Sequence, residues 1–168
     1  FYRDPNAGGY SREIDKVYGE VNASGAKLSL ELHFNGSVNG DVSGGETYSS
    51  GSTNSLRLAN LIRERVDAVM DNKNRGVKIL SRTDNGGRSL WQGKPPAVLT
   101  EPYFGTYAPG CATADERMDQ LAEAYFRAAV TFLGGSMTIE QVKPVAPPTA
   151  SPERAMLAEI HAMTKPYA

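Results

Sequence analysis

The chain has 168 residues, with 18 Lys and Arg against 19 Asp and Glu, two histidines and a single cysteine. That length holds one domain, with or without a tail, and the balanced charge without a long basic run excludes a binder of nucleic acid or anionic membrane built on electrostatics. The lone Cys111 excludes an internal disulfide, and no apolar run approaches the roughly 18 residues of a membrane-spanning helix.

Phe1 to Gly9 is turn-rich, with Asp4-Pro5-Asn6 and Gly8-Gly9 as breakers. Ser11 is placed to cap a helix running to about Asn22, with Ile14, Val17, Tyr18 and Val21 on one face. Ser24-Gly25 closes it and leads into residues 26–33, where Leu28, Leu30 and Leu32 alternate with Ser29, Glu31 and His33. A period of two marks a strand with two different faces, and the polar face ends on His33. Helix then strand is the second half of a βαβ unit. With Phe1 in place of an initiator methionine, a first βαβ portion is expected to be missing from this sequence.

Gly36 to Gly51, rich in Gly, Ser and Asn, is predicted to be a loop at the active end of the sheet. A helix follows from Ser52 to about Asp71, buried through Leu58, Ile62, Val66, Val69 and Met70. Arg57, Arg63, Glu64, Arg65 and Asp67 fill its solvated faces. Val77 to Leu80 is a short strand, and Thr83 to Lys94 a polar loop whose Trp91 either covers a core edge or flanks a substrate groove. Pro96 to Glu101 is a second decisive strand, apolar until Thr100 and acidic at its end, with Pro102 biasing Glu101 toward extended geometry.

After a loop from Tyr103 to Thr113, a helix from about Ala114 to Leu133 buries Met118, Leu121, Ala122, Tyr125, Ala129 and Phe132. Residues 1–135 therefore form the compact domain, of α/β class: three layers, α/β/α, around a mostly parallel sheet. In residues 136–168 the proline-rich run Val142 to Pro152 reads as an extended linker, followed by a short helix from Pro152 to Met163. His161 in that tail is read as a surface residue.

His33 and Glu101 end separate strands, and in open α/β sheets the loops at the carboxyl ends of strands collect catalytic groups. Taken alone, His33 also suits a histidine hydrogen-bonded to a neighbouring loop. Together, one imidazole and one fixed carboxylate suit metal-assisted hydrolysis. The histidine holds a metal ion, the metal lowers the pKa of bound water, and the carboxylate manages protons. Glu31 lies two residues before His33 on the same strand face, about 6.5–7 Å along it. It is placed to orient the imidazole.

The runs LSLELHFNG, GGETYSSGSTNSLRLANLIRERV, NRGVKIL and PPAVLTEPYFGT, with the last long helix, resemble the zinc-dependent N-acetylmuramoyl-L-alanine amidases. The resemblance covers roughly residues 10–133, in order. It implies cleavage of the amide between muramic acid and the L-alanine of the peptidoglycan stem peptide, with zinc as cofactor. The partner is then peptidoglycan, both glycan strand and stem peptide, in the bacterial cell envelope or in a host cell during phage lysis. It also implies that His33 is the last of the protein zinc ligands and Glu101 the catalytic carboxylate. Glu46, within the family's Gly-x-Glu-Thr-Tyr element, is then loop architecture. The family's other ligands, a histidine and a glutamate, have no counterpart here: no histidine precedes His33, and Glu13 and Glu20 are not in the family position. Either those ligands lie upstream of this sequence, or the chain is a zinc-free relative. The latter would be a non-catalytic peptidoglycan-binding or scaffold module on the amidase fold.

Overall fold

The structure, a computed structural model, describes residues 8–135. The linker, the short helix to Met163 and His161 lie outside the described residues. Nine elements follow in order: α1 (Tyr10–Ser24), β1 (Ser29–Leu32), β2 (Gly45–Ser49), α2 (Thr53–Met70), β3 (Asn74–Ile79), α3 (Gly87–Gln92), β4 (Ala97–Glu101), α4 (Ala108–Glu116) and α5 (Met118–Phe132). The four strands form one sheet in the order β1-β4-β2-β3. β1 pairs with β4 and β2 with β3 in parallel, while β2 and β4 run antiparallel. The sheet is therefore mixed, with a reversal at its centre.

Side chains alternate across each strand and so sort into two layers. Val98 of β4 and Leu28 and Leu30 beside it pack on Leu58, Ile62 and Val66 of α2 and on Ala124, Ala128 and Phe132 of α5. On the opposite face Ala97 and Leu99 meet Leu90 of α3. Ile14, Tyr18 and Val21 of α1 form a smaller cluster of their own. The result is the expected α/β/α arrangement, with the apolar β4 shielded on both faces. No helix among the described residues is long and apolar enough to cross a membrane.

Several local expectations are corrected. Residues 45–49 are a strand, not loop, and a central one: Glu46, Thr47 and Ser49 are all at most 2% exposed. The sequence GETYS carries no apolar period because this strand buries polar groups. Thr47 is hydrogen-bonded to Thr100, and Glu46 is held by the cluster described below. α1 starts at Tyr10 behind Gly9, with no side-chain cap from Ser11. The loop expected at Thr83–Lys94 contains α3, and the single helix expected at 114–133 is two. α4 ends at Arg117, which leaves helical geometry and donates from Nη1 to the Val69 carbonyl at 2.7 Å. No glycine or proline marks that bend. α5 then buries Leu121, Ala124, Ala128 and Phe132, leaving Met118 and Ala122 exposed. Its two small buried residues let it lie close to α2.

Ser52 caps α2, accepting from the Ser55 backbone N–H at 3.3 Å. Arg63, however, is not on a solvated face. It is buried, paired with Asp67 one turn on, and its guanidinium fills the space over Gly45. A Cβ added at Gly45 would stand 2.7 Å from Arg63 Nη1 and 2.7 Å from the Pro102 carbonyl oxygen. Gly45→Ala is therefore expected to destabilise by about 1–3 kcal/mol, the usual cost of overpacking. The measurement is a lower urea midpoint at unchanged slope. An unchanged midpoint would mean that Arg63 swings out at no cost.

Candidate active site

β1 and β4 run parallel, with Leu32 beside Thr100 and the His33 N–H donating to the Thr100 carbonyl at 3.0 Å. This brings His33 and Glu101 to the same end of adjacent strands. By alternation both point to the face that carries α1 and α3. Because β2 is antiparallel to β4, its first residues meet the last of β4, and Glu46 stands directly opposite Glu101. On the far side of β2, Lys78 registers with Tyr48 on that same face, while Arg75 lies in the irregular stretch between the Gly45–Asn74 and Thr47–Val77 pairs. A row of charged side chains thus crosses the sheet end: His33, Glu101, Glu46, then Arg75 and Lys78.

Two carboxylates directly opposite on an antiparallel pair repel each other. The site resolves this by treating them differently. Glu46 is buried and accepts from four side chains: Asn35 Nδ2 and the Tyr48 hydroxyl on Oε1, Arg75 Nε and Lys78 Nζ on Oε2. Burial alone would raise its carboxyl, but the hydrogen bonds from Lys78, Tyr48 and Arg75 outweigh it and hold it down to about 2. Glu101 is half-buried, and burial followed by the Glu46 charge pushes its carboxyl above the usual range, against the pull of His33, Lys78 and Tyr48. One carboxylate is held as a fixed anion, while its neighbour has its carboxyl raised.

His33 faces a third carboxylate. Its Nε2 stands 3.5 Å from Glu31 Oε2, and the Tyr18 hydroxyl of α1 donates to Glu31 Oε1 at 2.6 Å. Burial tends to raise the Glu31 carboxyl, but hydrogen bonds from His33, Ser89 and Tyr18 bring it below the ordinary value. A groove of about 530 Å³ between α1 and β1 opens beside these groups, lined by Tyr18, Val21, Leu30, Glu31 and His33 among others.

Trp91 does not flank this site. Its indole N–H is tied to the Leu80 carbonyl at 2.9 Å, just past the C-terminal end of β3. The connection from β3 to β4 begins and ends at the sheet end opposite Glu101.

A catalytic zinc takes three protein ligands. Among the described residues no group of three or more His, Cys, Asp or Glu side chains comes together as a metal site. His33 offers one imidazole nitrogen toward Glu31, so the described residues do not by themselves fit the ion. Asn35, Glu46, Tyr48, Arg75 and Lys78 were not expected in the site. The signal available in the sequence was a charged residue, Glu46, immediately before the β-prone run Thr47-Tyr48-Ser49, with the basic pair of Asn74-Arg75-Gly76-Val77-Lys78 downstream.

Fold and site together define an α/β domain with a carboxylate-rich site at one end of a mixed sheet. The chain belongs to the N-acetylmuramoyl-L-alanine amidase family, whose model matches residues 9–130. Comparison with curated proteins gives no match. Among solved structures, the chain is similar to the catalytic domain of the CD27L endolysin targeting Clostridia difficile, at 26% identity and TM-score 0.63, over 78% of this chain and 67% of that one. It shares the fold of the CwlD amidase of Clostridioides difficile, solved in complex with the GerS lipoprotein, at 21% identity and TM-score 0.66, over 80% and 70%. It also shares the fold of the catalytic domain of CwlV from Bacillus (Paenibacillus) polymyxa var. colistinus, at 20% identity and TM-score 0.62. That match covers 75% of this chain, which spans 66% of the length of the CwlV domain.

Proposed function

We propose that this chain carries the proton-transfer part of a peptidoglycan amidase, which cuts the amide joining N-acetylmuramic acid to the L-alanine of the stem peptide. The observation that carries this reading is the pairing of Glu101 with His33 on adjacent strand ends, in a chain of the amidase family. Glu101, raised by burial and by the Glu46 charge, accepts a proton from the attacking water and returns it to the leaving amine. Glu46 stays ionised throughout and keeps Lys78 and Tyr48 in place beside it. His33, oriented by Glu31, is proposed as a zinc ligand. The site of action is the cell envelope, or the host wall during phage lysis.

The shortage of donors around His33 among the described residues favours a second reading, a wall-binding module that keeps the fold without hydrolysis. One experiment separates the two. The chain is incubated with purified peptidoglycan, and the soluble fraction is assayed for free stem peptides with new L-alanine amino termini. Their release supports the amidase. Co-sedimentation with the wall and no released peptide, from a chain extended by any residues encoded upstream of Phe1, supports the module.

The donor shortage also has a direct consequence for metal affinity. Equilibrium dialysis followed by metal analysis is expected to find well under one tightly held zinc per chain. Stoichiometric, tightly held zinc would make Glu31 or Glu101 a ligand beside His33.

A further inference from the structure

Arg75 is built into the site more firmly than its partnership with Glu46 requires. Its Nε donates to Glu46 Oε2 at 2.8 Å, and its guanidinium lies over the Phe104 ring at 5.1 Å. Its stem lies against Gly44, where an added Cβ would stand 2.9 Å from Arg75 Cδ and 3.0 Å from Cγ. Gly44 also has φ +110, which side-chain-bearing residues rarely adopt. The guanidinium is thereby held by a carboxylate and a ring and its stem by Gly44, and its two Nη groups carry no hydrogen bond among the described residues. The side chain remains 29% exposed, so that fork is open to solvent. Charge points the same way: two cations, Arg75 and Lys78, share one oxygen of a single buried carboxylate. A fixed, half-open guanidinium fork matches a carboxylate in two parallel hydrogen bonds.

Position says where on the substrate that carboxylate lies. Arg75 is two strands from Glu101, about 10 Å at the usual strand spacing. An extended peptide covers that distance in about three residues. On the amidase reading, the lactyl carboxyl of the glycan side is consumed in the amide, so the carboxylates within reach belong to the peptide.

We propose that Arg75 is a specificity residue that binds a free carboxylate of the stem peptide, two to three residues from the cut amide. The substrate class is therefore an acidic muramoyl peptide, and amidation of that carboxylate weakens its recognition.

This rests on the amidase reading but is tested apart from turnover. The chain is titrated by calorimetry with two muramoyl tripeptides, identical except that the acidic second residue carries a free α-carboxylate or a carboxamide. The free acid is expected to bind at least about tenfold more tightly, as befits one charge-assisted bidentate pair. Arg75→Gln is expected to bring the two affinities together. Arg75→Lys, which keeps a cation on Glu46 and so guards the fold, is expected to retain part of the preference. Equal affinities in the parent chain, a preference that survives Arg75→Gln, or no binding of either peptide overturns the assignment. A clear preference leaves the carboxylate subsite standing whether or not cleavage is seen, so the subsite and the amidase reading fail separately.

Discussion

With the full set of zinc ligands in place, Glu101→Gln is expected to lower release of stem peptide from purified peptidoglycan by about 10²–10⁴-fold, the usual contribution of a positioned acid or base. The same substitution is expected to leave the fold intact or slightly more stable. β4 is held by backbone pairing to β1 and β2 and by the burial of Ala97, Val98 and Leu99, none of which uses the Glu101 carboxyl. Glu101 also stands opposite the fixed charge of Glu46, so removing its own charge removes a repulsion. The informative result is this split, with activity falling steeply while the urea midpoint holds or rises. Near-parental release would make Glu101 a structural strand-end carboxylate and move the proton transfers elsewhere. A large fall in stability would show that the Tyr48 and Lys78 contacts on its side are structural, and activity loss alone would then prove nothing about chemistry.

Where the sequence was legible, local physics decided the structure. The alternation around Leu28 and Leu30, the apolar run ending at Thr100, and the apolar stripe of α2 each fix their own element. The same signals place His33 and Glu101 at strand ends, because a polar residue closing an apolar strand can be read without knowing the partner strand. That they share one end and one face needed the parallel β1–β4 register, which no local pattern carries.

The misses share the opposite cause. β2 buries Glu46, Thr47 and Ser49, so a search for apolar periodicity passes over it, and only non-local donors make its burial tolerable. Arg63 looked solvated because its helix position gives no hint of the space above Gly45. The α4–α5 bend depends on Arg117 reaching the end of α2. The charged row from Glu101 to Arg75 exists only because the sheet reverses between β4 and β2. Recognising residues 45–49 as a strand would have shown Glu46 inside the sheet, but the direction of its pairing with β4 is set by non-local contacts.

Glu46 is where that buried row is most exposed to test. Glu46→Ala is expected to cost about 3 kcal/mol, the lower end of the range for removing one partner from a buried ion pair. The lower end applies because Lys78 and Arg75 keep 41% and 29% of their side chains exposed, so their charges can turn to water. Against a typical total of about 5–15 kcal/mol that is a large share. The pH dependence identifies the charge as the cause. The Glu46 carboxyl is brought from an ordinary 4.5 to about 2 in the folded chain. Its contribution is therefore fully present above about pH 4.5 and is lost as pH falls through about 2, since protonation then favours the unfolded chain. Glu46→Gln keeps the shape and removes the titration, so the stability gap between parent and variant is expected to narrow steadily from pH 4.5 down to pH 2. Urea unfolding at several pH values reads that gap directly. A gap that stays constant over the window would mean that Lys78 and Arg75 are held by the shape of the pocket and not by the charge of Glu46.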